Sequence, residues 1–102
     1  MYEIKKKTRM INGHCIPTYS RQIVRANVLE VEAGTNGYKC GDAGHGSKTF
    51  FSINDMCSTA IDVNKVGSGF EVVLYGDSEL DTIIEALKFI VRVLEEESQG
   101  NE

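Results

Sequence analysis

Seven side chains with usable chemistry crowd one stretch of the sequence, "GTNGYKCGDAGHGSKTF", Gly34 to Phe50: Tyr38, Lys39, Cys40, Asp42, His45, Ser47 and Lys48. Gly34, Gly37, Gly41, Gly44 and Gly46 are interspersed among them. Glycine loses the most backbone freedom on ordering, so five in one stretch mean either a mobile segment or positions that only glycine fits. The flanks read as strands, and an ordinary hairpin connection has only ~2 to 5 residues. A connection this long is usually functional or disordered.

Three chemistries follow from these residue types. The run "GDAGHGSKT" echoes the phosphate-binding pattern G-x-x-x-x-G-K-[ST] with one residue inserted before the lysine. That motif works because a helix N-terminus follows and receives the phosphate, whereas "KTFFSI" reads as a strand. A nest of backbone N–H groups for some other anion remains, helped by Lys39 and Lys48. Metal binding would need Cys40 and His45 to converge with His14, Cys15 or Cys57, and the close paired spacing of zinc sites is missing. No metal and no other cofactor is therefore expected, and the three cysteines, odd in number and widely spaced, read as reduced free thiols.

Catalysis would take Cys40 or Ser47 as nucleophile, His45 as base and Asp42 to orient it, the parts of a small hydrolase or transferase. Triads, however, are defined by hydrogen-bonded geometry and generally draw on separate segments. The competing reading gives Asp42 and Ser47 to turn-stabilising bonds with the loop's own backbone and His45 to the same purpose. The candidate ligand-binding residues are Lys39, Asp42, Gly44, His45, Gly46, Ser47 and Lys48.

The elements that must hold this loop are legible as periodicities. "ANVLEVEA" alternates Leu29, Val31 and Ala33 with Val28, Glu30 and Glu32, which predicts a half-buried strand. "KTFFSIN" sets Thr49, Phe51 and Ile53 against Phe50, Ser52 and Asn54. "TAIDVN" and "GFEVVLYG" flank the glycines of "NKVGSG", so residues 59–64 and 70–75 are expected to pair antiparallel. "YEIKKKTRMI" reads as an edge strand guarded by lysines. "NGHCIPTYSRQ" reads as a turn or loop around Gly13 and Pro17.

From Ser78, Leu80, Ile83, Ile84, Leu87, Ile90, Val91 and Leu94 recur at the 3-and-4 spacing of one helix face. Ser78 is the expected N-cap, with Glu79 and Asp81 suited to the positive end of the dipole. Glu95, Glu96 and Glu97 oppose the dipole, so that end is expected to fray. Phe89 and Val93 widen the stripe, fitting either a deeply seated helix, the preferred reading, or one that also meets another subunit.

At 102 residues, with 41% hydrophobic and 25% charged residues, the chain has room for one core and one domain, 1–102, with frayed termini and the Gly-rich loop at 34–48. No apolar run approaches the ~20 residues of a membrane span, and no apolar segment follows the basic N-terminus, so a cytoplasmic setting is expected. Residues 1–25 carry six basic and one acidic side chain, and residues 77–102 two basic and eight acidic. These ends are expected to pair or be solvated. No nucleic-acid recognition motif accompanies the basic stretch, which makes nucleic acid an unlikely partner.

The segment "NGHCIPTYSRQIVRANVLEVEAGTNGYKCGDAGHGSKTFF", Asn12 to Phe51, resembles small uncharacterised proteins of Gram-positive bacteria, including ones carried on mobile genetic elements. The resemblance implies a bacterial cytoplasmic setting and brings no activity, cofactor or catalytic residue. The expected architecture is α+β: an antiparallel sheet of four or five strands with one C-terminal amphipathic helix packed on one face. The expected function is non-enzymatic binding of a protein partner or small ligand through the 34–48 loop and nearby sheet surface. A hydrolase or transferase built on His45, Asp42 and Cys40 or Ser47 is the alternative, and a homodimer through the helix is a further possibility.

Overall fold

A computed structural model describes residues 4–24, 28–42, 44–57 and 61–99. Strands β1 (Lys5–Ile11), β2 (His14–Val24), β3 (Val28–Thr35) and β4 (Thr49–Cys57) form a four-stranded antiparallel sheet in chain order. Strands β5 (Ile61–Val66) and β6 (Gly69–Leu74) make a separate two-stranded sheet, and α1 (Asp77–Gln99) follows. The α+β architecture with a C-terminal helix on one face of the sheet is as expected.

Two local expectations fail in the N-terminal third and at the helix start. "NGHCIPTYSRQ" turns only at Asn12 and Gly13, whose φ angles of 49° and 81° are the paired positive values of a tight hairpin turn. From His14 onward it is β2, an inner strand with Pro17 opposite Thr8, where proline supplies no ladder donor. Small polar residues disguised it: Thr18 and Ser20 are as buried as Ile16. At the helix, the Leu80 N–H donates to the Gly76 carbonyl, which makes Gly76 the first acceptor and places Ser78 inside the first turn. The expected Ser78 cap is thus replaced by a cap one residue before Asp77.

The core lies between α1 and the middle of the sheet. Ile23, Val31 and Ala33 pack with Ala86, Phe89, Ile90 and Val93, and Tyr19, Ile53, Ile83 and Leu94 close its rim. Helix α1 packs chiefly on β3, with lesser contact to β2 and β4. The small side chains of Ala33 and Ala86 let the two backbones approach while Phe89 fills the space beside them.

This packing rotates the helix away from the phase its sequence implied. The buried face is Thr82, Ala86, Phe89, Ile90 and Val93, so the residues expected to flank the stripe are its centre. Leu80, Ile84, Leu87 and Val91, expected in the core, are 55%, 42%, 49% and 52% exposed. The acidic run Glu95–Glu97 does not end the helix, which continues to Gln99. Near that end, the Gly37 backbone at the base of the 34–48 loop lies close to the Glu97 carbonyl.

The β5–β6 hairpin turns at Gly67 and pairs Ile61 with Leu74 and Val63 with Val72, close to the expected register. It stands apart from the larger sheet rather than extending it. The radius of gyration, 14.9 Å, exceeds the ~13 Å of a compact domain of about 100 residues, and the shortest extent is 19 Å. The molecule is thin and leaves apolar surface uncovered on α1 and on the hairpin.

Phe89 is the largest side chain fully buried in this core. Replacing it by alanine removes the contact between helix and sheet without a compensating collapse, and a loss of about 3–5 kcal/mol is expected. Urea denaturation monitored by far-UV circular dichroism measures it, and Leu87→Ala on the exposed face of the same helix is expected to cost far less.

Candidate functional site

The 34–48 segment is the β3–β4 connection, and its base is closed by hydrogen bonds between the two strand ends. Thr35 and Thr49 hydroxyls lie 3.1 Å apart. The Asn36 N–H donates to the Lys48 carbonyl at 3.3 Å, and the Lys48 N–H returns a bond to Asn36 Oδ1 at 2.8 Å. The Gly37 N–H donates to Thr35 Oγ1 at 3.3 Å. The base is therefore a continuation of the ladder by side chains.

At the tip, Asp42 gathers the backbone donors around itself. Its carbonyl accepts from the N–H groups of His45 at 3.2 Å and Gly46 at 2.6 Å. Its carboxylate Oδ1 accepts from the N–H groups of Gly44 at 3.0 Å and His45 at 3.2 Å. This is the Asx turn that aspartate forms with its own backbone. The Gly44 N–H first, then the His45 N–H and ring, hold the Asp42 carboxyl below the usual carboxylate range. The glycines answer a steric need here: a Cβ on Gly46 would stand 2.5 Å from the Gly41 carbonyl oxygen. A Cβ on Gly41 would stand 2.8 Å from the His45 backbone.

These bonds set what the loop's groups are already engaged in. An anion nest needs backbone N–H groups with no acceptor of their own, and here the N–H groups of Gly44 and His45 already face a carboxylate. His45 Nδ1 lies 3.4 Å from Asp42 Oδ1, on side chains that are 89% and 81% exposed. Among the described residues neither Cys40 nor Ser47 is hydrogen-bonded to His45. Ser47 instead lines a shallow groove with Tyr38, Thr49 and, from α1, Leu94 and Ser98. Lys48 reaches back to the Gly46 carbonyl at 3.3 Å. Cys40 has a φ of 58° and its free thiol is exposed, as is the thiol of Cys15, which lies 3.1 Å from the Met10 sulfur. Among the described residues no group of three or more histidine, cysteine, aspartate or glutamate side chains is arranged to hold a metal ion. The Cys57 side chain lies outside the described residues.

A second polar cluster, not anticipated as a unit, lies on the sheet face opposite α1. Arg9 on β1 reaches across β2 to Glu32 on β3, with Nε at 2.8 Å and a terminal nitrogen at 2.6 Å from the two carboxylate oxygens. Thr18 Oγ1, on β2 between them, donates to the same carboxylate at 2.5 Å. The Arg9 guanidinium also stacks 4.8 Å from the centre of the Phe50 ring. Gly34 stands between Thr18 and Phe50 in the register and brings no side chain to this row. A Cβ there would fall 2.1 Å from the Pro17 carbonyl oxygen, so β2 and β3 approach more closely at Gly34 than any other residue permits.

The electrostatics of this cluster follow from burial. The Glu32 side chain is only 5% exposed, and the Arg9 bonds hold its carboxyl below the usual range against the opposing effect of burial. Lys7 adds a longer contact of 3.9 Å to Glu30. Lys7 and Arg9 of the basic N-terminal strand thus pair with the acids of β3. The signal was present in the sequence as Lys7 and Arg9 alternating on one strand and Glu30 and Glu32 on another, yet only the register of β2 brings them together.

A pH-dependent prediction follows. Because the folded Glu32 carboxyl titrates below its unfolded value of about 4.3, its stabilisation is complete above that pH and is lost as pH falls through the folded value. Arg9→Met removes the main cause and leaves burial to push the carboxyl up. The variant is expected to be less stable than wild type at pH 7, with the gap narrowing steadily from about pH 6 to pH 3. Thermal melts of both proteins across that range check it, and a constant gap would contradict it.

No protein-family model matches the chain, and no curated protein or solved structure is significantly similar to it.

Proposed function

We propose that this chain is a small non-enzymatic domain that binds a protein partner through the 34–48 loop and the adjoining sheet surface. The observation that carries the proposal is the Asp42 turn. It holds a glycine-rich segment in one shape while Tyr38, Lys39 and His45 face solvent. A loop tip whose Gly44, His45 and Gly46 donors are satisfied internally offers side chains and shape to a partner rather than a pocket to a small ligand. Among the described residues neither Cys40 nor Ser47 is hydrogen-bonded to the exposed Asp42–His45 pair, whereas acyl or phosphoryl transfer relies on a positioned nucleophile and on exclusion of water.

The adjoining surface is the Arg9, Glu32 and Phe50 row, which joins the loop through Gly34 and the start of β4. No helix among the described residues is long and apolar enough to cross a membrane. A cytoplasmic setting in a Gram-positive bacterium, where free Cys15 and Cys40 remain reduced, belongs to the same proposal. The uncovered face of α1 adds a second surface, through which the partner is another copy of the chain.

The test has two readouts on the same protein. Heteronuclear ¹⁵N NOE values for residues 36–48 are expected to match those of β3 and β4 in wild type and to fall in Asp42→Ala, with Asp42→Asn intermediate because it keeps an acceptor. Crosslinking in cell extract is then expected to recover a defined partner with wild type and to lose it with the Tyr38→Ala, Lys39→Ala double variant. Equal recovery by both proteins would place the binding surface elsewhere.

A further inference from the structure

Two arginines of the sheet are held in opposite ways. Arg9, on the face away from α1, meets Glu32 through two hydrogen bonds. Arg21 lies on the other face of β2, in the row of Tyr19 and Ile23 that α1 covers. There it lines a recess of about 260 Å³ with Glu85, Lys88, Phe89 and Arg92 of the helix. Among the described residues neither Arg21 nor Lys88 nor Arg92 forms an ion pair, whereas Glu85 is already engaged with a partner. Arg21 is thus a half-buried guanidinium beside the core with no carboxylate of its own.

Three cations therefore border one recess. Lys88 and Arg92 are four residues apart on α1, where like charges oppose helix stability, and Arg21 adds a third from β2. An anion seated among them turns that repulsion into attraction. The two guanidinium groups supply the fixed forks that match the oxygens of a carboxylate or a phosphate.

The recess continues along the helix. Helix α1 lies mainly over β3, which leaves the β1 and β2 side of the same sheet face open beside it. A second recess on that side, of about 540 Å³, is bounded by Ile4, Tyr19, Phe89 and Val93, with Glu96 and Glu97 at its far end. Phe89 and Arg92 line both recesses, so the two adjoin, and together they fall in the size range of small-molecule sites. Charge is graded along this groove, from Arg21, Lys88 and Arg92 to Glu96 and Glu97. Lys6 stands 5.9 Å from the centre of the Tyr19 ring and adds a base on the open edge.

We infer that this groove binds a small amphipathic anion, with a carboxylate or phosphate head among Arg21, Lys88 and Arg92. Its apolar body lies along Ile4 and Tyr19, over the edge of the Phe89 and Val93 core. The charge gradient fixes the orientation, because a second anionic group at the far end would meet Glu96 and Glu97. The groove lies on the sheet face opposite the Arg9 and Glu32 row, so it stands or falls independently of the partner proposed for the 34–48 loop.

Titration of the ¹⁵N-labelled full chain with octanoate, octyl phosphate, octanol and inorganic phosphate, followed by amide chemical shifts, tests the inference. Octanoate and octyl phosphate are each expected to shift the amides of Arg21, Phe89 and Arg92 saturably, with a Kd of about 1 mM or tighter for ligands of this size. Octanol lacks the head and inorganic phosphate lacks the body, and each is expected to bind at least about tenfold more weakly. The tighter of the two amphipathic anions identifies the head that the site prefers. The double variant Lys88→Gln, Arg92→Gln changes two exposed helix positions, so it is expected to keep its circular dichroism spectrum and to lose at least about tenfold in affinity for both anions. No saturable shift with either anion, or octanol binding as tightly as octanoate, would overturn the inference. Inorganic phosphate matching octyl phosphate would mean an adventitious ion only, and undiminished binding by the double variant would place the head elsewhere; either result would also overturn it.

Discussion

Burial of Phe89, Ile90 and Val93 against Val31 and Ala33 is the contact on which the remaining structure depends. It is where α1 meets β3, and β3 is the strand that both β2 and β4 pair with. A four-stranded antiparallel sheet with one face open needs its other face covered to be stable in water, and α1 supplies that cover mainly over β3. The hairpin end at Thr35 and Thr49, and therefore the base of the 34–48 loop, is positioned by the same strand. A helix shifted on β3 would displace the loop base with it, since Gly37 sits against the last turns of α1.

The opposite face of the sheet solves a different problem. Glu32 lies out of solvent where Arg9 of β1 reaches across β2 to cover it, and a carboxylate buried alone carries a cost of several kcal/mol. Arg9 and Thr18 between them supply three hydrogen bonds to its two oxygens. The bond is also topological. Arg9 lies on the edge strand and Glu32 two strands away, so the pair ties β1 to the centre of the sheet across β2. Edge strands have only one ladder to hold them, and here the second tie is electrostatic.

Alternation and helical spacing made most of this architecture legible. The β3 core face Leu29, Val31 and Ala33, the β5–β6 pairing and the presence of the helix all follow from periodicity, because burial on one side imposes it. The failures share a cause in tertiary context. β2 was hidden because Thr18 and Ser20 occupy buried positions that their polarity argued against, and their burial depends on Glu32 and Arg9 arriving from neighbouring strands. The phase of α1 differs from the one its spacing predicts because its apolar residues cover more than half of the helix circumference. Periodicity then locates a face without saying which part of it meets the sheet.

In the loop the same residue types serve both a chemical and a structural reading. Cysteine, histidine, aspartate, serine and lysine within a few positions are the ingredients of a catalytic or anion-binding site. Yet the same aspartate that would orient a catalytic histidine also accepts two backbone N–H bonds, and those bonds fold the loop. The Asp42 carboxylate accepts from the Gly44 and His45 N–H groups that a nest would offer an anion. The close contacts at Gly41 and Gly46 complete the argument, because they show glycine selected for space around a structural turn rather than for freedom of movement. The hydrogen bonds of Asp42 thus give this chemistry-rich segment a structural centre.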